Sequence, residues 1–448
     1  MGILNRTGGA RPITRRALLT ASGLAAGTLV VGCGGKTLGG TSSGGAGSGT
    51  GELQFWLNHT ADEQKQFQLR ADAFHEKNPD ITIKILNIAN GTDYYTKINT
   101  AAVGGAMPDV FYARSVDTAP NAYKDWALQL DDLLARDKAE INPDDFWKPH
   151  VAQMSYEGHL YGLPYDFSDC ALYYNKTMFE KEGVALPTDD WTWSDLYDNA
   201  AHFVQKKGKT QQRWGVSTQM SAWVAMGYFK ANGGDTFSDD LKTCVINNDA
   251  NVQTFTEMAT QRAAGVVPAT GATPQGVDAF GSQLLAMKID GTWATQTTRD
   301  AVDNKFEWDV VKLPKGTSGG RAVSTAGGQW TIAKTSPNQE AAWTWIKFLS
   351  SPESEKALIV DQLRGVPGRQ SLVSEMEQAA TAGKKSPANV AAFPEQMGDD
   401  AENWSYPVFF TEFNTSWTNH IATLGISGDP AKMLQQIQDE TNKAAAKY

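Results

Sequence analysis

The first well-patterned part of the chain alternates apolar and polar residues and then changes to a helical spacing. Residues 53, 55 and 57 are apolar and separated by other residue types, as in a strand. The segment Thr60-Ala61-Asp62-Glu63 has the spacing of a capping box, in which the first and last residues satisfy each other's backbone N–H groups. Apolar residues then recur on one helical face over 67–74, and Asn78-Pro79 ends the predicted helix.

The same alternation of element types continues to residue 112. Residues 81–85 predict a second strand, residues 93–103 a second helix that stops at Gly104-Gly105, and residues 109–112 a third strand. The order strand, helix, strand, helix, strand indicates a parallel sheet covered on both faces. The sequence therefore predicts an α/β fold, and ligands of such sheets bind beyond the carboxyl ends of the strands.

Later segments carry the same two periodicities. The pattern predicts strands at 170–175, 286–289 and 309–313, and helices at 176–182, 193–207 (opened by Ser194), 339–349 (preceded by Ser336-Pro337) and 430–447.

Polar residues follow each of the first three predicted strands. Asn58 and His59 follow the first, Asn90 and Gly91 the second, and Arg114 lies in the segment 113–115 after the third. Asparagine and arginine present several hydrogen-bonding groups in a plane, a geometry suited to adjacent hydroxyls or to a carboxylate. Ordinary loop chemistry is the alternative explanation for each of them.

The N-terminal region predicts export. Arg15-Arg16 precede an apolar run at 17–31, which ends at Gly32-Cys33 before a Gly/Ser-rich tract. This arrangement is that of an export signal and is short for a membrane span. Residues 29–33 resemble the lipobox of bacterial lipoproteins, whose cysteine is acylated, and residues 14–19 resemble a twin-arginine (Tat) signal. We therefore expect residues 1–32 to be removed and residues 33–51 to provide a lipid anchor on Cys33 and a tether. This places the protein on the extracytoplasmic face of the cell membrane.

Composition limits the partners of the remaining chain. Removing residues 1–32 takes away four arginines and no acid, so 36 basic and 50 acidic residues leave a formal net charge of −14. An acidic surface argues against nucleic acid and anionic lipid. The length of about 400 residues suits two ordinary domains. Cys170 and Cys244 can form a disulfide in an exported protein or remain two buried thiols.

Several motifs resemble those of one protein family. They are Met107-Pro108-Asp109-Val110-Phe111, Tyr161-Gly162-Leu163-Pro164, Leu172-Tyr173-Tyr174-Asn175-Lys176, Asp290-Gly291-Thr292-Trp293, and Ser336-Pro337-Asn338 with Trp345-Ile346-Lys347-Phe348-Leu349. In this order they are similar to the extracellular solute-binding proteins of sugar ABC importers, the class that includes maltose-binding protein.

The resemblance implies a two-lobed periplasmic-binding-protein fold of the type II-like clamp. Its chain crosses between lobes at about 166–169, 312–316 and 333–336. One lobe is then expected to contain residues 52–167 and 313–335, and the other residues 168–312 and 336–448. Such a clamp closes because the ligand contacts both lobes, and the closed form is what the permease recognises.

The resemblance also implies a set of ligand-binding residues. Trp293 matches an aromatic platform on which a sugar ring stacks, and Arg114 lies on the ligand loop after the third strand. The remaining expected positions are Trp56 and Asn58 on the first ligand loop, Tyr165, Asp166 and Asp169 at the first crossing, Gly328 and Trp330 in and after a glycine pair, and Trp404, Tyr406 or Trp417 as a late aromatic residue. An aromatic position of maltose-binding protein falls on Ala113, so maltose itself is not implied.

We therefore expect a monomeric, lipid-anchored protein, not an enzyme, that binds a di- or oligosaccharide and delivers it to the transmembrane permease subunits of an ABC importer. It requires no cofactor and no metal. The first alternative is an anchored glycoside hydrolase, which needs two carboxylates about 5 to 10 Å apart. The second is a lipoprotein that uses the same clamp for sensing or adhesion.

Overall fold

The computed structural model describes residues 51–317, 319–384, 386–399 and 404–448. The predicted export signal at 1–32 and the predicted lipidation site Cys33 lie outside these residues. Among the described helices, none is long and apolar enough to cross a membrane. Cys170 and Cys244 are both buried and free, so the predicted disulfide alternative is wrong.

The strands are β1 (Gly51–Leu57), β2 (Ile81–Asn87), β3 (Val110–Arg114), β4 (Ser155–Tyr156), β5 (His159–Leu160), β6 (Leu163–Ser168), β7 (Cys170–Asn175), β8 (Gln205–Lys207), β9 (Thr210–Ser217), β10 (Leu285–Gly291), β11 (Trp308–Val311), β12 (Ala326–Ile332) and β13 (Val366–Pro367).

The helices are α1 (Ala61–Lys77), α2 (Gly91–Val103), α3 (Thr118–Tyr123), α4 (Asp131–Arg136), α5 (Lys138–Ile141), α6 (Lys148–Gln153), α7 (Lys176–Glu182), α8 (Trp193–His202), α9 (Ala222–Ala231), α10 (Asp249–Ala264), α11 (Ala294–Val302), α12 (Gln339–Leu349), α13 (Pro352–Glu355), α14 (Val373–Thr381), α15 (Ala392–Asp399), α16 (Phe410–Ile421) and α17 (Pro430–Ala445). Short 3₁₀ segments and a π-helical segment at Lys356–Val360 complete the described elements.

Two sheets organise the described chain. The first has the order β13-β6-β12-β3-β1-β2, and the second the order β11-β7-β10-β9-β8. Strands β1, β2 and β3 pair in parallel, as the alternation of strands and helices predicts, whereas β12 is antiparallel to both β3 and β6. The α/β prediction is confirmed, and the two sheets form the centres of two lobes.

The start of α1 follows directly from local sequence. Thr60 Oγ1 accepts a hydrogen bond from Glu63 N at 3.3 Å, and Glu63 Oε2 accepts one from Thr60 N at 2.7 Å. This is the predicted capping box. The helix then buries Phe67, Ala71 and Phe74 against the first sheet, and Asn78 caps its end.

The prediction for residues 193–207 is partly wrong. Thr192, and not Ser194, caps α8, because its hydroxyl and the Asp195 carboxylate form a reciprocal capping box. The helix ends at His202, and residues 205–207 instead form the edge strand β8 beside β9. Phe203 is fully buried at the end of the helix, which fixes the point where the chain turns into the hairpin.

The chain passes from the first sheet to the second between Ser168 and Cys170, and it returns between β11 and β12. It does not leave the first lobe again at residues 333–336, where the third crossing was predicted. Helix α12 packs on the first sheet, with the Trp345 ring 5.5 Å from Phe55 and 5.0 Å from Phe74. The expectation that all of residues 336–448 belong to the second lobe is therefore wrong for α12.

The segments after β13 pack with the second lobe. Phe393 of α15 lies 6.1 Å from Tyr173 of β7, and Trp417 of α16 lies 5.7 Å from Phe255 of α10. Strand β13 itself pairs with β6 of the first sheet. The third crossing therefore follows β13.

Candidate functional site

One edge of the first sheet gathers the ends of several strands. Strands β1, β3 and β6 have their carboxyl ends there, and the antiparallel β12 begins there. In register, Gly328 of β12 lies between Arg114 of β3 and Asp166 of β6. This edge is also where the chain crosses to the second lobe, so it is the expected place for a ligand.

Asp166 is the central carboxyl group of this edge. It is 4% exposed, its Oδ1 accepts a hydrogen bond from Gly328 N at 2.6 Å, and its Oδ2 accepts one from Ser168 Oγ at 3.2 Å. A Cβ atom on Gly328 would lie only 2.5 Å from Tyr112 Cε2 and 2.8 Å from Asp166 Oδ1. Burial raises the pKa of Asp166, and the neighbouring Arg364 charge opposes that shift.

Arg364 places a positive charge beside Asp166. It follows the π-helical segment, and its Nε contacts Glu63 Oε1 of α1 as an ion pair. Burial raises the pKa of Glu63, but the charge of Arg364, together with the hydrogen bonds from Thr60, opposes it, and this pKa lies below its ordinary value. Burial lowers the pKa of Arg364, and Glu63 with its acidic neighbours more than reverses that effect.

An aromatic cluster supports these charged groups from the lobe core. The His59 ring stacks on Phe67 with 4.9 Å between centroids, and Tyr165 lies 4.6 Å from Trp330. Burial lowers the pKa of His59 to about 4, and neither of its ring nitrogens has a hydrogen-bond partner within the described part of the chain. The imidazole is therefore neutral at pH 7.

The second lobe contributes the end of β10 and the residues after it. Thr292 N donates to the Asp169 carbonyl at 3.2 Å, which joins this segment to the first crossing. A Cβ atom on Gly291 would lie 2.2 Å from the ring of Trp293, so the indole occupies this position only because residue 291 is glycine. Trp223 of α9 lies 5.9 Å from Trp293, and both rings are partly exposed.

The two lobes meet at Gly365. A Cβ atom placed on this residue would lie 3.4 Å from Asp166 Oδ2 and 3.5 Å from Thr292 Oγ1. The Thr292 hydroxyl is buried and has no hydrogen-bond partner among the described residues. The Asp166 carboxyl group of the first lobe and the Thr292 hydroxyl of the second therefore lie on either side of Gly365. Trp293 directly follows Thr292 in the chain.

The structure brings several predicted ligand residues together at this edge. Tyr165 and Asp166 both adjoin Gly328: its N–H donates to Asp166 Oδ1, and a Cβ atom added to it would lie 2.9 Å from Tyr165 Cδ1. Arg114 lies beside Gly328 in the sheet, and Asp117 holds its guanidinium in hydrogen bonds of 2.9 and 2.8 Å. Its guanidinium also lies 4.0 Å from the Tyr95 ring.

Other predicted residues lie elsewhere. Trp56 is on the opposite face of β1 from Phe55, packed beside α2 with Lys97 Nζ 4.7 Å from its ring. Asn58 Nδ2 donates to the carbonyls of Ile88 and Ala89, so it joins the ends of β1 and β2. We therefore assign Asn58 a role in holding this loop.

Three further predicted residues have structural partners. Asp169 is fully buried with its Oδ2 bonded to Gln396 Nε2, and burial holds its pKa well above the ordinary value. Trp330 is fully buried in the first-lobe core, so we do not retain it as a ligand contact. The partly exposed Trp404 donates from Nε1 to the Val323 carbonyl at 2.9 Å, which joins it to the second crossing.

Sequence reasoning missed Glu63, Thr292, Arg364, Gly365 and Trp223 as members of this site. Thr292 stands inside a motif used for the resemblance, so the position next to the expected platform was a usable signal. The sequence pattern indicates only a capping role for Glu63. Arg364-Gly365 follows an irregular helix with no periodic pattern, and only the fold brings it to the strand ends.

Together, the fold and the site define a two-lobed binding protein whose candidate site lies where the lobes meet. Residues 59–356 match the family described as bacterial extracellular solute-binding proteins. The chain belongs to this family.

Individual proteins resemble the chain over most of its length. A lactose-binding protein of Rhizobium radiobacter is 22% identical over 87% of this chain and 92% of its own. The sn-glycerol-3-phosphate-binding periplasmic protein of Escherichia coli (strain K12) is 23% identical over 67% of this chain and 71% of its own. A structure of an ABC substrate-binding protein from Listeria monocytogenes in complex with cycloalternan has a TM-score of 0.78. It is 25% identical and covers 88% of this chain and 99% of its own.

Proposed function

We propose that this protein is the lipid-anchored, extracytoplasmic binding component of an ABC importer. It captures a di- or oligosaccharide between its lobes and delivers the sugar to the permease. The observation that carries the proposal is the partly exposed pair Trp223 and Trp293, which adjoins the meeting point of Thr292, Gly365 and Asp166. Aromatic faces suit the apolar side of a sugar ring, and the polar groups suit its hydroxyls.

The relatives support a carbohydrate ligand. The match to the lactose-binding protein spans 92% of that protein, and the Listeria protein with the same fold is in complex with cycloalternan. A hydrolase is not favoured by the crossing carboxylates. Asp169 is fully buried and bonded to Gln396, and Asp166 is bonded to Gly328 N and Ser168 Oγ.

The test is sugar binding by calorimetry, after a thermal-shift screen of mono-, di- and oligosaccharides identifies a ligand. Trp293→Ala removes one of the two rings of the aromatic pair. Truncating a central tryptophan of an interface typically costs about 2 to 4 kcal/mol of binding free energy. We therefore expect the dissociation constant to rise by about 30- to 1000-fold.

Trp193→Ala is the matched control. Trp193 is also partly exposed and packs against the same lobe, with its ring 4.7 Å from Tyr228, but it begins α8 rather than following β10. We expect sugar affinity to be unchanged in this variant. Equal affinity in wild type and Trp293→Ala would contradict the site, and chemical conversion of the sugar would contradict the binding function.

The anchor is tested separately on Cys33. We expect Cys33→Ser to release the protein from the membrane fraction and to remove the acyl mass from its N-terminal peptide. Retention of the variant on washed membranes, with an unmodified peptide in wild type, would refute lipidation.

A further inference from the structure

Two described arginines at the ligand edge of the first sheet, Arg114 and Arg364, are already paired with acids. Arg114 makes a two-point contact to Asp117, with Nε to Oδ2 at 2.9 Å and Nη2 to Oδ1 at 2.8 Å. Arg364 is in direct contact with Glu63. Such arginines are the side chains that would bind a phosphate or carboxylate group of a ligand, and here the charge of each faces a carboxylate of the protein itself.

The Glu63 carboxylate is held in place by the fold. Its Oε2 accepts the hydrogen bond from Thr60 N in the capping box, while Oε1 contacts Arg364. The side chains of Arg364 and Glu63 are only 22% and 15% exposed, so solvent screens their interaction weakly. A ligand anion could approach Arg364 only by competing with a carboxylate that is already positioned.

Within the described part of the chain, the side chains that act most strongly on the Arg364 charge are acids and phenols. Asp166 is the second acid beside it, and burial keeps the His59 imidazole neutral at pH 7 by lowering its pKa to about 4. Tyr112 and Tyr165 complete the surroundings as neutral phenols. An entering phosphate would meet these carboxyl groups, whereas a hydroxyl can donate to a carboxylate and accept from a guanidinium.

We infer that Glu63 and Asp117 determine the ligand class of this site: they neutralise Arg364 and Arg114, so that the site accepts uncharged, hydroxyl-rich ligands and rejects phosphate-bearing ones. This inference rests on the proposed function and makes it more specific. It would also distinguish the ligand class of this chain from that of the similar protein named for binding sn-glycerol 3-phosphate.

The experiment is calorimetric titration of wild type and Glu63→Gln with sn-glycerol 3-phosphate at low ionic strength, with glycerol as the uncharged counterpart. Glutamine preserves the cap, because its amide oxygen can still accept from Thr60 N. It removes the charge that neutralises Arg364. We expect at least a tenfold gain in affinity for sn-glycerol 3-phosphate and no gain for glycerol.

Asp62→Asn is the matched control. It removes the same charge from the first turn of α1, but Asp62 is 89% exposed and pairs with Lys65 on the helix surface. We expect no gain in sn-glycerol 3-phosphate affinity in this variant. A gain equal to that of Glu63→Gln would show that only net charge matters and would overturn the inference.

Asp117→Asn provides a second variant if Glu63→Gln does not fold, since it releases Arg114 in the same way. No gain in sn-glycerol 3-phosphate affinity in either folded variant, or tight binding of this ligand by wild type, overturns the inference. Binding of neutral oligosaccharides is measured in parallel on wild type. If wild type binds none of those sugars, the proposed function and the acceptance of uncharged ligands are both contradicted. The exclusion of phosphate by Glu63 and Asp117 is still decided, because the variants are titrated with sn-glycerol 3-phosphate independently.

Discussion

The buried His150 imidazole gives a pH dependence whose sign and size follow from the structure. His150 lies in α6, is fully buried and stacks on Phe167 with 4.8 Å between ring centroids. Neither ring nitrogen has a hydrogen-bond partner among the described residues, and burial lowers the pKa to about 3. The unfolded chain keeps a histidine pKa of about 6.5.

The sign follows from proton binding. Between pH 6.5 and pH 3 the unfolded state binds a proton that the folded state does not, so folding stability falls as the pH falls through this window. From pH 7 to pH 5 the unfolded histidine goes from about one quarter protonated to almost fully protonated, which costs about 2 kcal/mol of stability for this one residue. Below pH 3 both states are protonated and the loss is complete.

The perturbation is His150→Phe, which keeps an aromatic ring against Phe167 and cannot titrate. Urea unfolding, followed by tryptophan fluorescence at pH 7 and pH 5, gives the free energy of unfolding of both proteins. We expect the difference between the two pH values to be about 2 kcal/mol smaller in the variant than in wild type. His202→Phe, at an exposed position of α8, is the control and is expected to leave this difference unchanged.

Comparison with wild type is essential because other buried groups act in the opposite direction. Burial raises the pKa of the Asp169 and Glu355 carboxyls, so these two groups stabilise the folded protein increasingly as the pH falls. The total pH dependence therefore mixes both signs, but the difference between wild type and variant isolates residue 150. An identical pH dependence in the two proteins would refute the reasoning.

Two further predictions concern the lobe core and the second crossing. Trp345→Ala empties a fully buried position and is expected to lower the free energy of unfolding by about 3 to 5 kcal/mol in urea titrations; a loss below 1 kcal/mol would contradict the packing of α12. Tyr406→Phe removes a 2.9 Å hydrogen bond to the Thr325 carbonyl, to which Gln153 Nε2 also donates at 3.0 Å. Because that carbonyl keeps a partner, we expect a cost of about 0.5 kcal/mol. For Tyr228→Phe, which removes a 3.0 Å hydrogen bond to a carbonyl, we expect the free energy of unfolding to fall by about 1.5 kcal/mol. A larger loss for Tyr406→Phe than for Tyr228→Phe would contradict this account.

Local sequence was sufficient where the decisive interactions are between near neighbours. The capping box at Thr60 and Glu63 joins residues three apart, and β7 and α7 have the predicted bounds 170–175 and 176–182. The error at α8 has the same scale: Thr192 and Ser194, two positions apart, both suit a helix start, and the Asp195 partner decides between them.

The sequence by itself determined the α/β alternation, the parallel start of the first sheet and the family to which the chain belongs. Each of these depends on periodicity or on short motifs. Tertiary structure alone decided that α12 packs on the first sheet, because an apolar helix face shows that it must be covered but not by which sheet. It also decided the pairing of Arg364 with Glu63 and the meeting of Asp166, Gly365 and Thr292. Their contacts join residues far apart in the chain, and such contacts exist only after the strands and crossings have brought them to one edge.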